Sequence, residues 1–362
     1  MLQEPLLGKT QEDLQQICLS LELPKFVAAQ LSDWLYKKRV SSFSEMTNLA
    51  KGTQTKLAEQ FSVGASLPQE VQISRDGTKK YLFSVGERQY IEAVMIPEQE
   101  RKTLCVSTQV GCRMGCSFCV TGTMGFHGNL TAGEIINQIR SVPESETLTN
   151  LVFMGMGEPF DNIDATLKSL HILTADWGFA MSPRRITVSS IGLIPAMKRF
   201  LAESECHLAI SLHTPFDDER NLLMPIQKTY PFKEVLDVIR FYDLGRQRRI
   251  SFEYILFKGL NDSPKHVKEL ARLLNGLRCR INLIRFHKSE HFTMESPDEK
   301  SIADFANQLN EKQLTTTIRA SRGEDILAAC GLLSTESTKA RTHEGTKVRT
   351  HKLDEIKTSR NL

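Results

Sequence analysis

The stretch Gly111-Cys112-Arg113-Met114-Gly115-Cys116-Ser117-Phe118-Cys119 carries three cysteines at the spacing C-x3-C-x2-C. Three thiolates this close together can ligate three irons of a four-iron cluster, which ordinarily takes four protein thiolates. The two internal glycines allow the backbone to turn tightly around an inorganic core. No fourth cysteine follows at short spacing, so one iron stays open to a non-protein ligand. The amine and carboxylate of S-adenosylmethionine suit that position.

A structural zinc site is the alternative interpretation of the same three cysteines. Structural zinc takes four ligands, usually as two short pairs of Cys or His. Here the triplet is unpaired, and the nearest histidine, His127, lies in a glycine-rich turn. The spacing therefore favours an iron–sulfur cluster held by Cys112, Cys116 and Cys119.

The chain around this motif alternates between strand and helix patterns. Predicted strands cover residues 103–108, 150–154, 185–190, 207–212, 250–256, 280–285 and 315–319. Helical patterns between them cover residues 132–139, 165–174, 232–241, 264–274 and 301–309. Repeated strand–helix units predict an α/β fold with a parallel sheet and helices on its outer face, either open or closed into a barrel. Chemistry is expected at the carboxyl ends of these strands.

The residues before the motif have a different pattern. Residues 11–62 show helical periodicity, with Phe26, Leu31, Trp34 and Leu35 on one predicted apolar face. Short alternating runs at 71–75, 80–85 and 90–96 predict antiparallel strands, with a hairpin turn at Asp76-Gly77. We therefore divide the chain into a helical module (1–65), an antiparallel connector (66–100), a catalytic domain (101–332) and a basic tail (333–362).

Composition limits the class of protein. No apolar run approaches the roughly 20 residues that cross a bilayer, and the first residues lack a secretory signal pattern. We therefore expect a cytoplasmic protein that does not bind membranes, and we expect a monomer. Half of the eight cysteines lie between Cys105 and Cys119, which in a reducing compartment indicates metal binding or catalysis. The net charge of +3 is too small to predict a nucleic-acid partner by itself.

Several extended motifs resemble, in order, the radical S-adenosylmethionine methyltransferases that act on carbon 2 of adenine in 23S ribosomal RNA. They are residues 91–97, 104–107, 111–122, 129–131, 153–159, 182–185, 211–213 and 322–331. The resemblance implies a partial parallel (βα)6 barrel over residues 101–330 and an N-terminal module that helps to hold RNA. It also implies a [4Fe-4S] cluster, two S-adenosylmethionine molecules per turnover and a low-potential electron donor such as flavodoxin.

The resemblance also assigns roles to single residues. Cys330 matches the thiol that carries the methyl group, Cys105 the thiol that releases the product by forming a disulfide, and Glu92 a proton acceptor. Without the resemblance, Cys330 and Cys105 would be read as buried packing residues and Glu92 as a solvent-facing strand residue. The remaining cysteines, Cys18, Cys206 and Cys279, match no reactive position.

Contacts to S-adenosylmethionine are expected where the strands end. Glycines in Gly155-x-Gly157-Glu158 allow close approach to a ligand, and the Glu158 carboxylate could hold its ammonium group; an ordinary strand-to-helix turn is the alternative. The resemblance places Ser189, Ser211, Leu212 and His213 around the same cofactor. His287 is kept as a contact although many relatives carry Asn there, because imidazole can still form a hydrogen bond.

The substrates are expected to be 23S ribosomal RNA and some transfer RNAs. Arg184-Arg185, Arg246-Gln247-Arg248-Arg249, Lys37-Lys38-Arg39 and the tail are candidate phosphate contacts, although solvated surface arginines and lysines would look the same. Two other functions stay open: methylation at adenine carbon 8 by the sister group of enzymes, and a noncatalytic zinc- or cluster-containing RNA-binding protein. A binding protein has no use for two further reactive thiols.

Overall fold

The computed structural model describes residues 3–242 and 248–334. The N-terminal part contains β1 (Glu4–Pro5), α1 (Gln11–Ser20), α2 (Phe26–Ser32), a π-helical turn (Asp33–Lys37), α3 (Lys51–Gln60) and β2 (Phe61–Ser62). Thr10 caps α1, because its hydroxyl accepts the Asp13 N–H at 3.2 Å. The prediction that Phe26 belongs to the apolar face is wrong. This side chain is 64% exposed, at the first residue of α2, whereas Leu31 and Leu35 are buried.

Three antiparallel strands follow: β3 (Glu70–Ile73), β4 (Lys79–Ser84) and β5 (Tyr90–Glu98). The predicted hairpin turn joins β3 to β4, where the Asp76 carboxylate accepts the Thr78 N–H at 2.9 Å. β5 then pairs antiparallel with β6 (Arg101–Cys105). The strand predicted over 103–108 therefore begins and ends earlier than expected. It ends before Ser107, whose N–H bonds to the Gln138 side chain at 2.8 Å and not to a neighbouring strand.

A short hairpin absent from the sequence prediction encloses the cysteine motif. β7 (Gln109–Gly111) and β8 (Phe126–Asn129) pair antiparallel with an irregularity at Val110 and Gly111, and the turn of helix α4 (Val120–Thr123) lies between them. The strands are short and rich in glycine, so they carry no alternating pattern that sequence analysis could detect.

The remaining strands are parallel. They are β9 (Asn150–Phe153), β10 (Ile186–Ser190), β11 (His207–Ser211), β12 (Ile250–Leu256), β13 (Cys279–Arg285) and the short β14 (Thr316–Ile318). Together with β6 they form the parallel part of a ten-stranded sheet of order β14-β13-β12-β11-β10-β9-β6-β5-β4-β3. The predicted α/β fold class is confirmed, with the antiparallel strands extending the β6 edge.

Seven longer helices follow the strands: α5 (Ala132–Arg140), α6 (Ile163–Thr174), α7 (Ile194–Glu203), α8 (Asp217–Leu223), α9 (Phe232–Phe241), α10 (Pro264–Leu273) and α11 (Glu299–Glu311). Apolar side chains alternate along the strands, and Ile210, Phe252 and Leu283 are fully buried. Burying side chains of this size stabilises the fold by roughly 1.5–3 kcal/mol each.

The other face of the parallel strands is polar, and its side chains bond to one another. The Asn282 amide donates to the Glu253 carboxylate at 2.7 Å, and the Thr317 hydroxyl donates to the Asn282 carbonyl oxygen at 2.8 Å. Residues from both ends of the parallel region, Arg101 of β6 and Thr317 of β14, line one cavity. The sheet therefore curls into a partial barrel whose interior is polar, as required of a chamber that receives polar ligands.

The N-terminal module packs directly on α5. An added Cβ on Gly8 would lie 2.8 Å from the Ala132 carbonyl carbon, so the two backbones approach closely only because Gly8 has no side chain. The Arg140 guanidinium donates to the Val40 carbonyl at 2.9 Å, and Arg39 donates to the Ser145 hydroxyl at 2.7 Å. Of the basic triplet, Arg39 therefore contacts the catalytic domain, while Lys37 and Lys38 stay exposed.

Candidate active site

The three cysteines of the motif lie on a loop fixed by backbone hydrogen bonds. The Cys112 N–H donates to the Gly125 carbonyl at 2.8 Å, and the Cys119 N–H donates to the Cys116 carbonyl at 3.2 Å. Gly111 has a φ of +71° and passes so close to Gly125 that a side chain there would collide with its carbonyl. All three thiols are free and half-buried.

The chemistry of three neighbouring thiols suits a four-iron cluster. Within the described ranges, no three Cys, His, Asp or Glu side chains converge closely enough to hold one metal ion. A zinc site needs such convergence, whereas in a four-iron cluster each thiolate binds a different iron. Burial raises the pKa of Cys112 to about 12 and that of Cys116 well above its usual value. These thiols are therefore neutral until a metal displaces their protons.

A cavity of about 150 Å³ adjoins the trio at the carboxyl ends of the parallel strands. Its lining includes Cys112, Cys116 and Cys119, together with the predicted cofactor contacts Gly157, Glu158, Ser189, Ser211 and His213. Leu212 is buried beside it, with its N–H bonded to the Glu253 carbonyl at 3.0 Å. His287 lies elsewhere, within 3.2 Å of the Ser321 hydroxyl and on the wall of a second cavity.

Glu158 is held at the strand ends by its own hydrogen bonds. Its carboxylate accepts the N–H groups of Phe160 at 3.0 Å and Ile191 at 3.1 Å. Burial raises its pKa to about 7, although these bonds lower it. Much of the acceptor capacity of Glu158 is therefore used to fix the loop and the end of β10, on which a ligand would rest.

Gly157 supplies a testable part of this loop. Its φ is +93°, and an added Cβ would lie 2.8 Å from the Gln109 backbone nitrogen and closer still to the Gln109 side chain. We expect Gly157→Ala to lower the free energy of unfolding by about 2 kcal/mol or more, because it combines steric overlap with an unfavourable backbone conformation. Denaturant unfolding monitored by circular dichroism measures this. Gly52→Ala, in open space on α3, is the control and should not destabilise the protein.

His213 is a neutral hydrogen-bond donor in the cavity. Its Nδ1 accepts the Ile255 N–H at 3.0 Å, and burial, with a smaller contribution from Arg220, lowers its pKa to about 3. The proton therefore resides on Nε2, which is the one donor that this ring can offer a ligand. The Phe118 ring packs edge-on at 4.7 Å between centroids and connects His213 with the cysteine loop.

Cys330 lies on the wall between this cavity and the barrel interior, and Cys105 is buried near it. Cys330 is exposed and lines both spaces. Cys105, at the end of β6, is buried. Burial and the neighbouring Cys330 raise its pKa to about 12, while the Met154 backbone and Arg319 lower it. The two thiols are therefore close enough for the charge of one to affect the pKa of the other. The alternative that Cys330 is a buried packing residue is wrong, because this residue is exposed.

The segment that carries Cys330 is attached to the cysteine loop. The Val120 N–H donates to the Gly331 carbonyl at 2.8 Å, and the Thr121 hydroxyl donates to the Leu333 carbonyl at 2.8 Å. Val120 and Thr121 directly follow Cys119. The chain thereby holds its exposed thiol at a fixed place relative to the metal-binding trio.

Glu92 lies outside both cavities and is fully buried on β5. It pairs with the Lys80 ammonium at 3.2 Å, and Lys80 is itself buried. The Ser334 N–H donates to the Glu92 carboxylate at 3.0 Å, so this carboxylate anchors the segment that carries Cys330. The alternative that Glu92 faces water is wrong.

The Lys80–Glu92 pair yields a stability prediction. Lys80→Ala should lower the free energy of unfolding by about 3–5 kcal/mol, because it removes the cation that compensates a buried carboxylate. Lys80→Met with Glu92→Gln should recover part of this loss, since no charge then remains at the site. Equilibrium unfolding in guanidinium measures both variants. Equal losses in the single and double variants would contradict the ion pair as the cause.

The second cavity, of about 480 Å³, fills the barrel interior on the other side of Cys330. Two histidines, His207 and His287, and two carboxylates, those of Glu98 and Glu253, line it together with five arginines: Arg101, Arg249, Arg280, Arg319 and Arg322. Burial lowers the pKa of Arg319, but Cys330, Glu253 and Cys105 raise it above its usual value. Sequence analysis did not identify Arg319, Glu253 and Asn282 as residues of this cavity. The available signal was the alternation of polar and apolar side chains along the strands.

The predicted phosphate contacts are spread over the surface. Arg184 and Arg185 are exposed just before β10, and Arg249 is exposed at the start of β12. Arg248 is half-buried and donates to the Leu201 carbonyl at 2.9 Å. Arg246, Gln247 and the tail from residue 335 lie outside the described residues.

Comparison with known proteins identifies the family. The model of the radical SAM superfamily matches residues 106–274, and that of the ribosomal RNA large subunit methyltransferase N-terminal domain matches residues 5–63. "Probable dual-specificity RNA methyltransferase RlmN" of Parabacteroides distasonis is 54% identical over 91% of this chain and 96% of that protein. The chain belongs to the RlmN family. "Dual-specificity RNA methyltransferase RlmN" of Geobacter sulfurreducens is 42% identical over 90% of this chain and 91% of that protein.

A crystal structure supports the RlmN-family fold. The radical SAM methyltransferase from Sphaerobacter thermophilus has a TM-score of 0.86 and 40% identity, covering 91% of this chain and 99% of that one. Both the predicted family and the predicted fold class are confirmed. Membership of the radical SAM superfamily implies a [4Fe-4S] cluster and S-adenosylmethionine. In the part of the chain that the structure describes, no helix is long and apolar enough to cross a membrane.

Proposed function

We propose that this protein methylates carbon 2 of adenine in 23S ribosomal RNA and in some transfer RNAs. The names of its relatives support a dual-specificity RNA methyltransferase. The observation that carries the proposal is the position of Cys330, exposed on the wall of the cavity that adjoins the cysteine trio and electrostatically coupled to the buried Cys105. An RNA-binding protein needs neither thiol.

The chemistry requires a radical because carbon 2 of adenine is a poor nucleophile and cannot displace a methyl group from a sulfonium. Cys112, Cys116 and Cys119 would hold the [4Fe-4S] cluster, which would supply the one-electron chemistry that turns S-adenosylmethionine into a source of a carbon radical. A second S-adenosylmethionine supplies the methyl group, and a low-potential protein such as flavodoxin supplies electrons. Gly157, Glu158, Ser189, Ser211, Leu212 and His213 bind or frame S-adenosylmethionine in this proposal. His287 stays a predicted contact, although it lines the adjoining second cavity and not the one beside the cysteines.

Two thiols of the chain handle the methyl carbon. Cys330 carries the methyl group on its sulfur. Loss of one hydrogen atom from this methyl group to the 5′-deoxyadenosyl radical would leave a methylene radical, which would add to carbon 2 of adenine and link RNA to protein. The adduct would then lose one electron, for which the oxidised cluster would be the acceptor, and the carbon 2 proton. Cys105 then bonds to the Cys330 sulfur while the sulfur–carbon bond breaks, and the methyl carbon takes up a proton. Arg319 is placed to assist, because its charge lowers the pKa of Cys105 against the effect of burial. Glu92 stays the predicted acceptor of the adenine proton on the resemblance alone, because its carboxylate is buried against Lys80 outside both cavities and contacts the Cys330 segment at the Ser334 N–H.

The basic cavity is our candidate entrance for the RNA. It reaches Cys330 from the side opposite the cysteine trio, and its arginines can pair with phosphates. A target base must leave its stack to reach a reactive group inside a cavity. In this proposal, Lys37 and Lys38 on the helical module (residues 1–65) extend the basic surface. The proposed chemistry does not depend on the basic tail.

Anaerobic reconstitution tests the proposed function. The purified protein is loaded with iron and sulfide, reduced, and incubated with S-adenosylmethionine and unmethylated 23S ribosomal RNA or transfer RNA. Mass spectrometry of the digested RNA should detect 2-methyladenosine, and 5′-deoxyadenosine should form in parallel. Formation of 8-methyladenosine instead would assign the sister activity. RNA binding without either product would leave only the noncatalytic alternative.

A further inference from the structure

Arg220 is a fully buried guanidinium on α8, only 1% exposed. Its terminal nitrogens donate to the Gln227 side-chain oxygen at 2.6 Å, to the Ile191 carbonyl at 3.1 Å and to the Ser211 carbonyl at 3.0 Å. Its Nε has no hydrogen-bond partner within the described residues. Neither the predicted site nor the proposed mechanism uses this side chain.

The charge of Arg220 is poorly compensated by the protein itself. Within residues 3–242 and 248–334, no carboxylate forms an ion pair with it. Asp217 bonds to the Gln227 amide at 2.8 Å, and its charge raises the pKa of Arg220 less than burial lowers it. Burial lowers its pKa to about 10, so it stays cationic at neutral pH. A buried cation with only neutral partners is unfavourable unless an anion is brought close to it.

The surroundings of Arg220 indicate which anion this is. The two carbonyls that it binds belong to residues at the ends of β10 and β11, and both residues line the cavity beside the cysteine trio. Ile191 also donates its N–H to Glu158. At the end of α8, the Leu223 carbonyl accepts the N–H of Ser117, which lies between Cys116 and Cys119, at 3.0 Å. Arg220 therefore lies between the cofactor-binding strand ends and the cysteine loop.

We propose that Arg220 is the internal counter-charge of the cluster site, stabilising the reduced cluster while it holds the two strand ends in place. This inference rests on the proposed function, because it requires the cluster. Three thiolates already make the site anionic, and reduction adds one more negative charge. A fixed cation in a water-excluded site favours that reduced state. Arg220 is thus a positioning residue with an electrostatic effect on electron uptake.

Potentiometric titration of the reconstituted protein tests this, with dithionite as reductant, electron paramagnetic resonance as readout, and no RNA. In Arg220→Gln and Arg220→Met, we expect the ratio of reduced to oxidised cluster at a fixed potential to fall at least about tenfold, which is about 59 mV for one electron. Arg220→Lys keeps the charge and should stay within about threefold of wild type. Arg272→Gln removes an exposed arginine on α10 and should change nothing.

Two results would overturn the inference without touching the proposed function. One is an unchanged midpoint potential in the cluster-loaded fraction of Arg220→Gln, even if less cluster is loaded or the protein melts earlier. The other is an equal drop for Arg220→Lys and Arg220→Gln, which would mean that hydrogen bonding and not charge sets the potential. Failure of the wild-type protein to bind any cluster would instead refute the proposed function itself.

Discussion

Substituting Cys330→Ala should abolish methylation of RNA while leaving the metal site intact. The expected loss is more than about a thousandfold, as for removal of a covalent nucleophile in general, because no other described thiol lines the cavity beside the cysteine trio apart from the trio itself. Cys330 is exposed and makes no packing contribution to a core. The folded protein should therefore keep its thermal stability and its cluster content.

The measurement is the amount of 2-methyladenosine after a long anaerobic incubation, together with iron content and the visible absorbance of the cluster. Cys279→Ala, which changes a half-buried thiol on β13 that is outside both cavities, is the matched control and should retain activity. Methylation by the Cys330→Ala protein at more than a few per cent of the wild-type level would show that the methyl group does not pass through this sulfur.

Cys105→Ala should give a different defect: a covalent RNA–protein adduct that accumulates and does not resolve. Cys330 can still join the adenine in this variant, but the thiol that would release it is gone. The adduct should approach one per active protein, with free methylated RNA below about one per cent of the wild-type amount. A denaturing gel detects it as a slowly migrating band that ribonuclease digests.

The double variant Cys105→Ala/Cys330→Ala is the control, and it should form no adduct. Cys105→Ser tests the need for sulfur, because a hydroxyl of similar size cannot form the disulfide and should trap the same species. A Cys105→Ala protein that releases methylated RNA at the wild-type rate would assign the release step to another group.

Much of the fold was predictable because the apolar alternation in the strands is strong. Strand 250–256 was predicted with the observed boundaries, and so was helix 232–241. The convergence of the cysteine trio and of residues from Gly157 to His213 on one cavity was predictable for another reason. In a parallel sheet, strand ends meet at one edge, so motifs far apart in sequence come together there.

The remaining features depend on contacts that single-sequence patterns do not encode. The polar face of β12 and β13 looks solvent-facing in sequence, but curling of the sheet turns it into the barrel interior. His287 follows a strand just as His213 does, yet it contacts Ser321 and not the cavity beside the cysteines. Arg220 follows the 211–213 motif by only seven residues, but its burial is visible only once α8 is folded against the strand ends.

The attachment of the Cys330 segment to the turn after Cys119 has a consequence for oxidative damage. If oxygen removes iron from the site and the loop of Cys112, Cys116 and Cys119 rearranges, the position of Cys330 should change with it, because Gly331 and Leu333 accept hydrogen bonds from Val120 and Thr121. Loss of the cluster would then also displace the thiol proposed to carry the methyl group.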